Sequence, residues 1–347
     1  MNLVTGGTGL VGSYLLFDLV KAGKKVRAIK RKNSDLSFVK KIFLASPLTP
    51  LQVERGMENN LFGLIEWVEG DVLDVYSLVE AMQGVEQVYH CAGMVSHHPK
   101  DVYRMMKINV EGTANVMNMA LEQNIKKVCH TSSVAALGEK LKNDLMTEEC
   151  KWKTSPKNSN YAISKYCGER EAWRAAEEGL NVVIVNPSIV IGAGDWQKSS
   201  GKLFDVAYKG LKYYTSGITG FVDARDVSKT MIALMESNIS NERFIISAED
   251  YSYQNIFNLL CENLGTKKPH IKVSETMGEI AWRVSSLSRL FSNNAPNITK
   301  EIIRGGFEKH NFSNEKIKKA IGINFISVEQ SVKEVSEIYL KEKNINC

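Results

Sequence analysis

The sequence predicts an α/β protein: a doubly wound parallel sheet carrying a small, discontinuous C-terminal lobe. Three observations carry the prediction. Short β-branched apolar runs alternate with longer amphipathic stretches through the first half of the chain, a glycine-rich turn follows the first run directly, and the alternation weakens after Asn186. Parallel neighbours must be joined by a crossover, usually a helix, so strand–helix–strand alternation implies a sheet covered on both faces.

Strands are expected at Asn2–Thr5, Lys25–Ile29, Leu64–Glu69, Gln87–Cys91, Lys127–Thr131 and Asn181–Asn186, where β-branched and aromatic residues gather. Helical periodicity occupies Leu10–Lys21, Ser77–Met82, Tyr103–Gln123 and Tyr161–Glu178 between them. Leu44–Asn60, with Pro47, Pro50 and Gly56, reads as a loop insertion. Beyond Asn186, helical patterns at Ala224–Glu236, Gln254–Leu264, Glu275–Phe291 and Val328–Lys341 mix with short strands, and Glu242–Ser247 is apolar enough to return to the main sheet. This places residues 1–186, with about 221–248, in one domain, and about 187–220 with 249–347 in a second lobe.

Composition excludes several classes. A chain of 347 residues with 44% hydrophobic and 24% charged residues is neither disordered nor collagen-like. Basic residues exceed acidic ones, 44 to 39, but the basic clusters (Lys24-Lys25, Lys30-Arg31-Lys32, Lys316 with Lys318-Lys319) are short and lack interleaved aromatics, so no nucleic-acid partner is expected. No apolar run approaches the ~18 residues that span a bilayer, and no charged-then-apolar leader precedes the glycine turn. Six cysteines without a C-x-x-C pair read as reduced thiols. The expectation is a soluble cytoplasmic protein without a membrane partner.

The chemistry begins at Val4-Thr5-Gly6-Gly7-Thr8-Gly9-Leu10-Val11-Gly12. A strand ends, glycines fall at 6, 9 and 12, and a helix starts. Glycine permits the tight turn and close backbone approach, while the helix N-terminus offers N–H groups to a diphosphate, as in a Rossmann-like dinucleotide site. An acidic residue ~20 positions on would hold the ribose 2′-hydroxyl of NAD, and an arginine would meet the 2′-phosphate of NADP. Arg31 stands there, flanked by Lys30 and Lys32, with Asp35 the nearest carboxylate, so NADP is expected and NAD is the alternative. A solvated basic loop would look the same.

Tyr161 and Lys165 lie four residues apart, on one helix face. An ammonium beside a phenol favours the phenolate, which makes tyrosine a usable proton carrier. Tyr103/Lys107, Tyr208/Lys212 and Tyr339/Lys343 repeat the spacing, so position decides. Only Tyr161 follows a strand ending in hydroxyls, Thr131-Ser132-Ser133, at the carboxyl edge where α/β ligands bind.

Thr5–Gly12, Gly70-Asp71-Val72, His90-Cys91-Ala92-Gly93, Asn109–Thr113, Thr131-Ser132-Ser133, Tyr161 with Lys165, and Asn186-Pro187-Ser188 occur in the order typical of extended short-chain dehydrogenases/reductases. The chain resembles that group, the NAD-dependent epimerase/dehydratase family. Phe221–Val227 and the tail around Ile321–Ser327 extend the likeness over nearly the whole length, and Val26–Arg31 with Asn186-Pro187-Ser188 is most similar to the dihydroflavonol-4-reductase-like branch.

The resemblance implies roles residue by residue. Gly6, Thr8, Gly9, Leu10, Val11 and Gly12 would cradle the diphosphate, and Arg31 with Lys32 the 2′-phosphate. Asp71 would accept from the adenine amino group, Val72 would flank the ring, Ala92 and Gly93 would line the path of the nicotinamide ribose, and Pro187 would contact the carboxamide. Ser133, with Ser132 as near alternative, would hold the reacting oxygen. Tyr161 would move the proton, Lys165 would bind the ribose and lower the phenol's pKa, and Asn109 would support the active-site helix.

Sugar dehydratases of the family carry Asp-Glu where Ser132-Ser133 stand, so dehydration is not expected. His97 and His98 are adjacent and lack zinc-like spacing, so no metal is expected. Three functions remain: a reductase or dehydrogenase moving a hydride between NADP and a carbonyl/alcohol substrate; a nucleotide-sugar epimerase with tightly held NAD, its diphosphate met by Arg283, Arg289 or Arg304; and a non-catalytic NADP sensor. A homodimer through Tyr103–Gln123 and Tyr161–Glu178 follows by analogy with the family.

Overall fold

Seven parallel strands form the central sheet of the computed structural model, which describes residues 1–45, 61–138, 145–197, 200–288 and 299–345. In chain order the strands are β1 (Asn2–Thr5), β2 (Val26–Lys30), β3 (Ile65–Glu69), β4 (Gln87–His90), β5 (Lys127–Thr131), β6 (Leu145–Met146), β7 (Val182–Pro187), β8 (Ile189–Ile191), β9 (Tyr213–Tyr214), β10 (Ile218–Asp223), β11 (Glu242–Ile246), β12 (Glu249–Ser252), β13 (Ile271–Lys272) and β14 (Asn311–Phe312). The sheet order is β11-β7-β5-β4-β1-β2-β3. From β1 the chain winds outward to β2 and β3, then returns to β4 on the other side. The crevice therefore opens above the carboxyl ends of β1 and β4, where Thr5 pairs with His90.

Side chains alternate across this sheet. Tyr89 and Cys129 enter one core with Leu15, Leu16 and Leu19 of helix Leu10–Lys21 and Met231 and Leu234 of helix Ala224–Glu236. Val88 and Val128 enter the opposite core with Val116 and Ala120 of helix Gly112–Glu122 and Ala172 and Ala175 of helix Asn160–Glu177. A third core joins Phe204, Ile256, Leu260, Val332 and Tyr339 on the C-terminal helices. The Phe221–Val227 motif ties that core to the sheet. Asp223 caps helix Ala224–Glu236 and takes a two-point ion pair from buried Arg225, which also reaches Glu334, while Ser331 donates to Asp223.

Most elements fall within a residue or two of their expected bounds, and Glu242–Ile246 joins the main sheet beside β7. Two differ. Helix Ser37–Ala45 was not expected; Asp35 accepts from the Ser37 N–H and hydroxyl at its start, and Val39, Ile42 and Phe43 bury one face. It takes in Leu44 and Ala45, and the rest of the expected insertion, 46–60, lies outside the described residues. The single helix expected at Tyr103–Gln123 is instead Val102–Met106, a π-helical turn Lys107–Glu111, and Gly112–Glu122. Helix Glu275–Ser288 has its expected start, and the rest of the expected span, 289–291, lies outside the described residues.

Candidate active site

The glycine turn is built by contact between backbones. Gly6 has φ +68°, and a Cβ there would meet Cys91 C and Ala92 N at 2.5 Å, because the chain leaving β4 runs against it. A Cβ on Gly12 would run into the Gly6 carbonyl, while Gly9 N–H donates to that carbonyl at 2.9 Å. No side chain caps helix Leu10–Lys21 at Gly9, so its first turn presents backbone N–H groups at the exposed Gly9 edge, beside half-buried Thr8. Leu10 packs toward Gly192 and Gly194, and Val11 toward the core. Donors without side-chain bulk suit the diphosphate of a dinucleotide.

Beyond β2 and β3 lies a cleft of about 520 Å³ lined by Arg31, Lys32, Glu69, Gly70, Asp71, Asp74, Tyr76, Ser77 and Glu80. Neither Arg31 nor Lys32 has an ion-pair partner among the described residues, whereas Arg27 is spent on Glu66. Asp71 accepts from Leu73 N–H at 3.0 Å. Val72 is buried against Gly112, and its carbonyl accepts from Asn115. Pro187, at the end of β7, is buried.

On the other side of the crevice, Tyr161 and Lys165 share a face of helix Asn160–Glu177, whose start Ser159 caps through Ala162 N–H. Ser133 ends the extended segment after β5, its hydroxyl accepts from Ala135 N–H at 3.2 Å, and it lies near enough to the Tyr161 phenol to favour the phenolate. Ser132 faces the other way and donates to Glu169 at 2.6 Å. Lys165 is buried and donates to the Thr131 carbonyl at 2.9 Å; a Cβ on Gly93 would sit 3.7 Å from its ammonium. Burial pushes Lys165 down to about 8, opposed by the Glu169 charge. The expected lowering of the phenol by Lys165 is not what the structure gives. Burial raises the Tyr161 pKa because a desolvated phenolate is costly, and the nearby Ser133 hydroxyl is what opposes it.

Three supporting residues escaped the sequence reading or exceeded it. Glu169, one turn beyond Lys165, accepts from Ser132, Asn186, Trp173 and Arg243. Asn186 also donates to the Ser133 carbonyl at 3.0 Å, so both serines are fixed from one buried carboxylate and its neighbour. Asn109 sits in the π turn, a distortion frequent at functional sites. Its side chain grips Met94 at both N–H (2.7 Å) and carbonyl (2.9 Å) and donates to Ser164. The i, i+4 spacing of Lys165 and Glu169 was the available signal for the first; Arg243, 74 residues away, had none.

Other candidates lie elsewhere. Tyr103 is exposed with Lys107 over its ring, and Tyr339 is buried, donating to Asp205. Arg283 pairs with Glu279 and Arg304 donates to the Lys157 carbonyl, while Arg289 is outside the described residues. Among the described residues no three His, Cys, Asp or Glu side chains group as metal ligands, and no helix is long and apolar enough to cross a membrane.

A crevice at the carboxyl edge of a parallel sheet beside an uncapped helix start is the architecture of a dinucleotide-binding α/β protein. Residues 2–247 match the NAD dependent epimerase/dehydratase family, and the chain belongs to it. It is an NAD(P)-dependent enzyme of the extended short-chain dehydrogenase/reductase branch, whose members among its relatives include dihydroflavonol-4-reductase-like proteins. It is 31% identical over 295 residues to sterol demethylase protein B of Methylococcus capsulatus, covering 84% of this chain and 83% of that one. It is 27% identical to cinnamoyl-CoA reductase 1 of Petunia hybrida, covering 95% and 89%. Its fold is similar to that of UDP-glucose 4-epimerase from Thermotoga maritima, solved with UDP-glucose, with TM-score 0.75, 21% identity, and coverage of 99% and 100%.

Proposed function

We propose that this enzyme is an NADP-dependent reductase or dehydrogenase of a carbonyl/alcohol pair. The observation that carries it is the convergence of Ser133, Tyr161 and buried Lys165 at the carboxyl end of β5, beside the dinucleotide crevice. Backbone N–H groups of the turn 6–12 would hold the diphosphate, Asp71 and Val72 the adenine, and Arg31 with Lys32 the 2′-phosphate. A bound nicotinamide supplies or takes the hydride. Ser133 orients the carbonyl oxygen, and Tyr161 delivers its phenolic proton to that oxygen during reduction, or takes it back during oxidation. The raised phenol pKa suits a group that starts protonated. Lys165, charged below about 8, holds the ribose hydroxyls. Ser132 is spent on Glu169, so Ser133 is the serine assigned.

Residues 1–186 with about 221–248 form the cofactor domain and the remainder the substrate lobe in this reading, and the protein works in the cytoplasm as a homodimer through the helices around Tyr103 and Tyr161. The test is NADPH oxidation against a panel of aldehydes and ketones. Tyr161→Phe should lose turnover by a factor of at least ~10² while NADPH affinity stays within about twofold; an equally active variant removes the assigned acid. In the same assay, Arg31→Ala should lose NADP affinity by about tenfold to a hundredfold with NAD affinity unchanged. A wild type that prefers NAD, held through purification, favours the epimerase reading instead.

A further inference from the structure

The segment that leaves β4 alternates sharply. Gly93, Val95 and His97 are exposed, while Met94, Ser96 and His98 turn inward. The inward residues are consumed. Asn109 grips Met94, Ser96 donates to Asp101 at 2.6 Å, and His98 accepts from Lys100 N–H to cap the Pro99–Asp101 turn. The outward residues run along the catalytic helix, with Gly93 beside Lys165 and His97 beside Tyr161. The His97 ring meets the Tyr161 ring edge-on, centroids 6.0 Å apart.

His97 is held from the C-terminal lobe. Glu301, on helix Lys300–Gly305, places Oε2 3.5 Å from His97 Nδ1. Its Oε1 accepts from both the N–H and the side-chain amide of Asn160, the residue before Tyr161. One carboxylate thus fixes the start of the catalytic helix through Oε1, while its Oε2, buried without a hydrogen-bond partner, faces the imidazole that flanks the phenol. With Nδ1 turned to Glu301, Nε2 has no partner among the described residues.

We infer that His97, oriented by Glu301, binds a hydroxyl of the substrate close to its reacting carbonyl, and so sets substrate preference; this rests on the reductase reading above. A hydroxyl is the group that fits. His97 with its single proton on the Nδ1 that faces Glu301 presents a lone pair at Nε2, and protonated His97 presents an N–H there. A hydroxyl both donates and accepts, so it pairs with either form, whereas a carboxylate pairs only with the protonated one. A site built to bond a hydroxyl discriminates against the analogue lacking it because its own polar group is left unpaired.

The experiment follows NADPH oxidation with aliphatic ketones, unsubstituted or bearing one hydroxyl at one to three carbons from the carbonyl, and compares wild type with His97→Phe, His97→Gln and Glu301→Gln. Phe keeps a ring against Tyr161 and removes both nitrogens. Wild type should prefer a hydroxylated ketone by about tenfold or more in kcat/KM. His97→Phe should lose that preference through KM, with the unsubstituted ketone within about twofold of wild type. His97→Gln should recover part of it. Glu301→Gln, which keeps an acceptor for Asn160, should weaken it. Active wild type without such a preference, or a His97→Phe loss equal on both kinds of ketone, overturns the inference alone. Wild type that binds NADPH and reduces none of them overturns the reductase reading, and the inference with it.

Discussion

Glu169→Ala tests how the active-site serines are held. The Glu169 side chain is 2% exposed and accepts at 2.6 Å from Ser132, 2.7 Å from Asn186, 3.3 Å from Trp173 and 2.9 Å from Arg243. Removing it leaves a guanidinium uncompensated, which costs about 3–5 kcal/mol at a buried pair. Arg243 keeps the carbonyls of Glu148 and Cys150 and is 19% exposed, so the lower end applies. The stranded Ser132 hydroxyl adds about 1 kcal/mol, and Asn186 retains the Ser133 carbonyl. The expected loss is therefore about 4 kcal/mol in urea unfolding, with Arg243→Ala coupled to it by at least about 1 kcal/mol in a double-mutant cycle. Catalysis should fall beyond what cofactor affinity shows, because Asn186, which holds the Ser133 carbonyl, loses its own anchor on the carboxylate while the glycine turn is untouched. A Glu169→Ala protein within about 1 kcal/mol of wild type, or strictly additive with Arg243→Ala, would refute this account of the hub.

Lys165 gives a pH prediction: its ammonium persists below about 8 and is lost above it. NADP affinity should decline by about tenfold as pH rises through that value, and Lys165→Met should bind weakly at every pH; a variant that keeps the wild-type pH profile assigns the titration to another group. Asp226 is buried at the lobe junction, accepts from Ile326 N–H with one oxygen, and is pushed up from 3.8 to about 6 by burial. Raised in the folded state, its protonated form contributes stability in full below 3.8, and this is lost as pH rises to about 6, a difference of about 3 kcal/mol. Asp226→Asn keeps the acceptor and strands an amide donor, so a gain of about 1–2 kcal/mol is expected at pH 8, vanishing by pH 5. Urea midpoints at the two pH values check it, and an equal change at both sinks it.

What was legible in the sequence is what local periodicity and turn chemistry encode. Asn2–Thr5 and Leu10–Lys21 have the same bounds in sequence and structure because a β-branched run, a glycine turn and an amphipathic helix follow one another without competition. Tyr161 and Lys165 were separable from three look-alike pairs because only they precede β7 and follow the hydroxyl-rich end of β5. Helix Ser37–Ala45 was hidden by the proline-containing stretch beyond it. The π turn was invisible because one extra residue per turn barely disturbs a 3.6-residue pattern across twenty positions. Ser133 was favoured over Ser132 only by resemblance, until the strand's alternation turned Ser132 to Glu169 and left Ser133 beside Tyr161. Arg243 and Glu301 reach the site across 74 and 141 residues, and no spacing rule spans such distances.

The buried His90 shows how much of the motif around it serves geometry. Thr113 Oγ1 donates to the Asn109 carbonyl at 2.8 Å, which spends its only proton, so His90 Nε2, 3.0 Å away, must donate to Thr113. Nδ1 is then an acceptor, and the proton at 2.7 Å comes from Thr5 Oγ1, which in turn accepts Ala92 N–H. Burial holds His90 down to about 3, so the ring stays neutral and this direction persists across the working pH range. The chain of bonds runs from the residue before Gly6, through β4, to the π turn that carries Asn109. A single neutral imidazole thereby registers the glycine turn, the Ala92-Gly93 backbone and the support of the catalytic helix against one another. A histidine ending β4 is therefore a framing residue, and the chemistry belongs to the side chains it aligns.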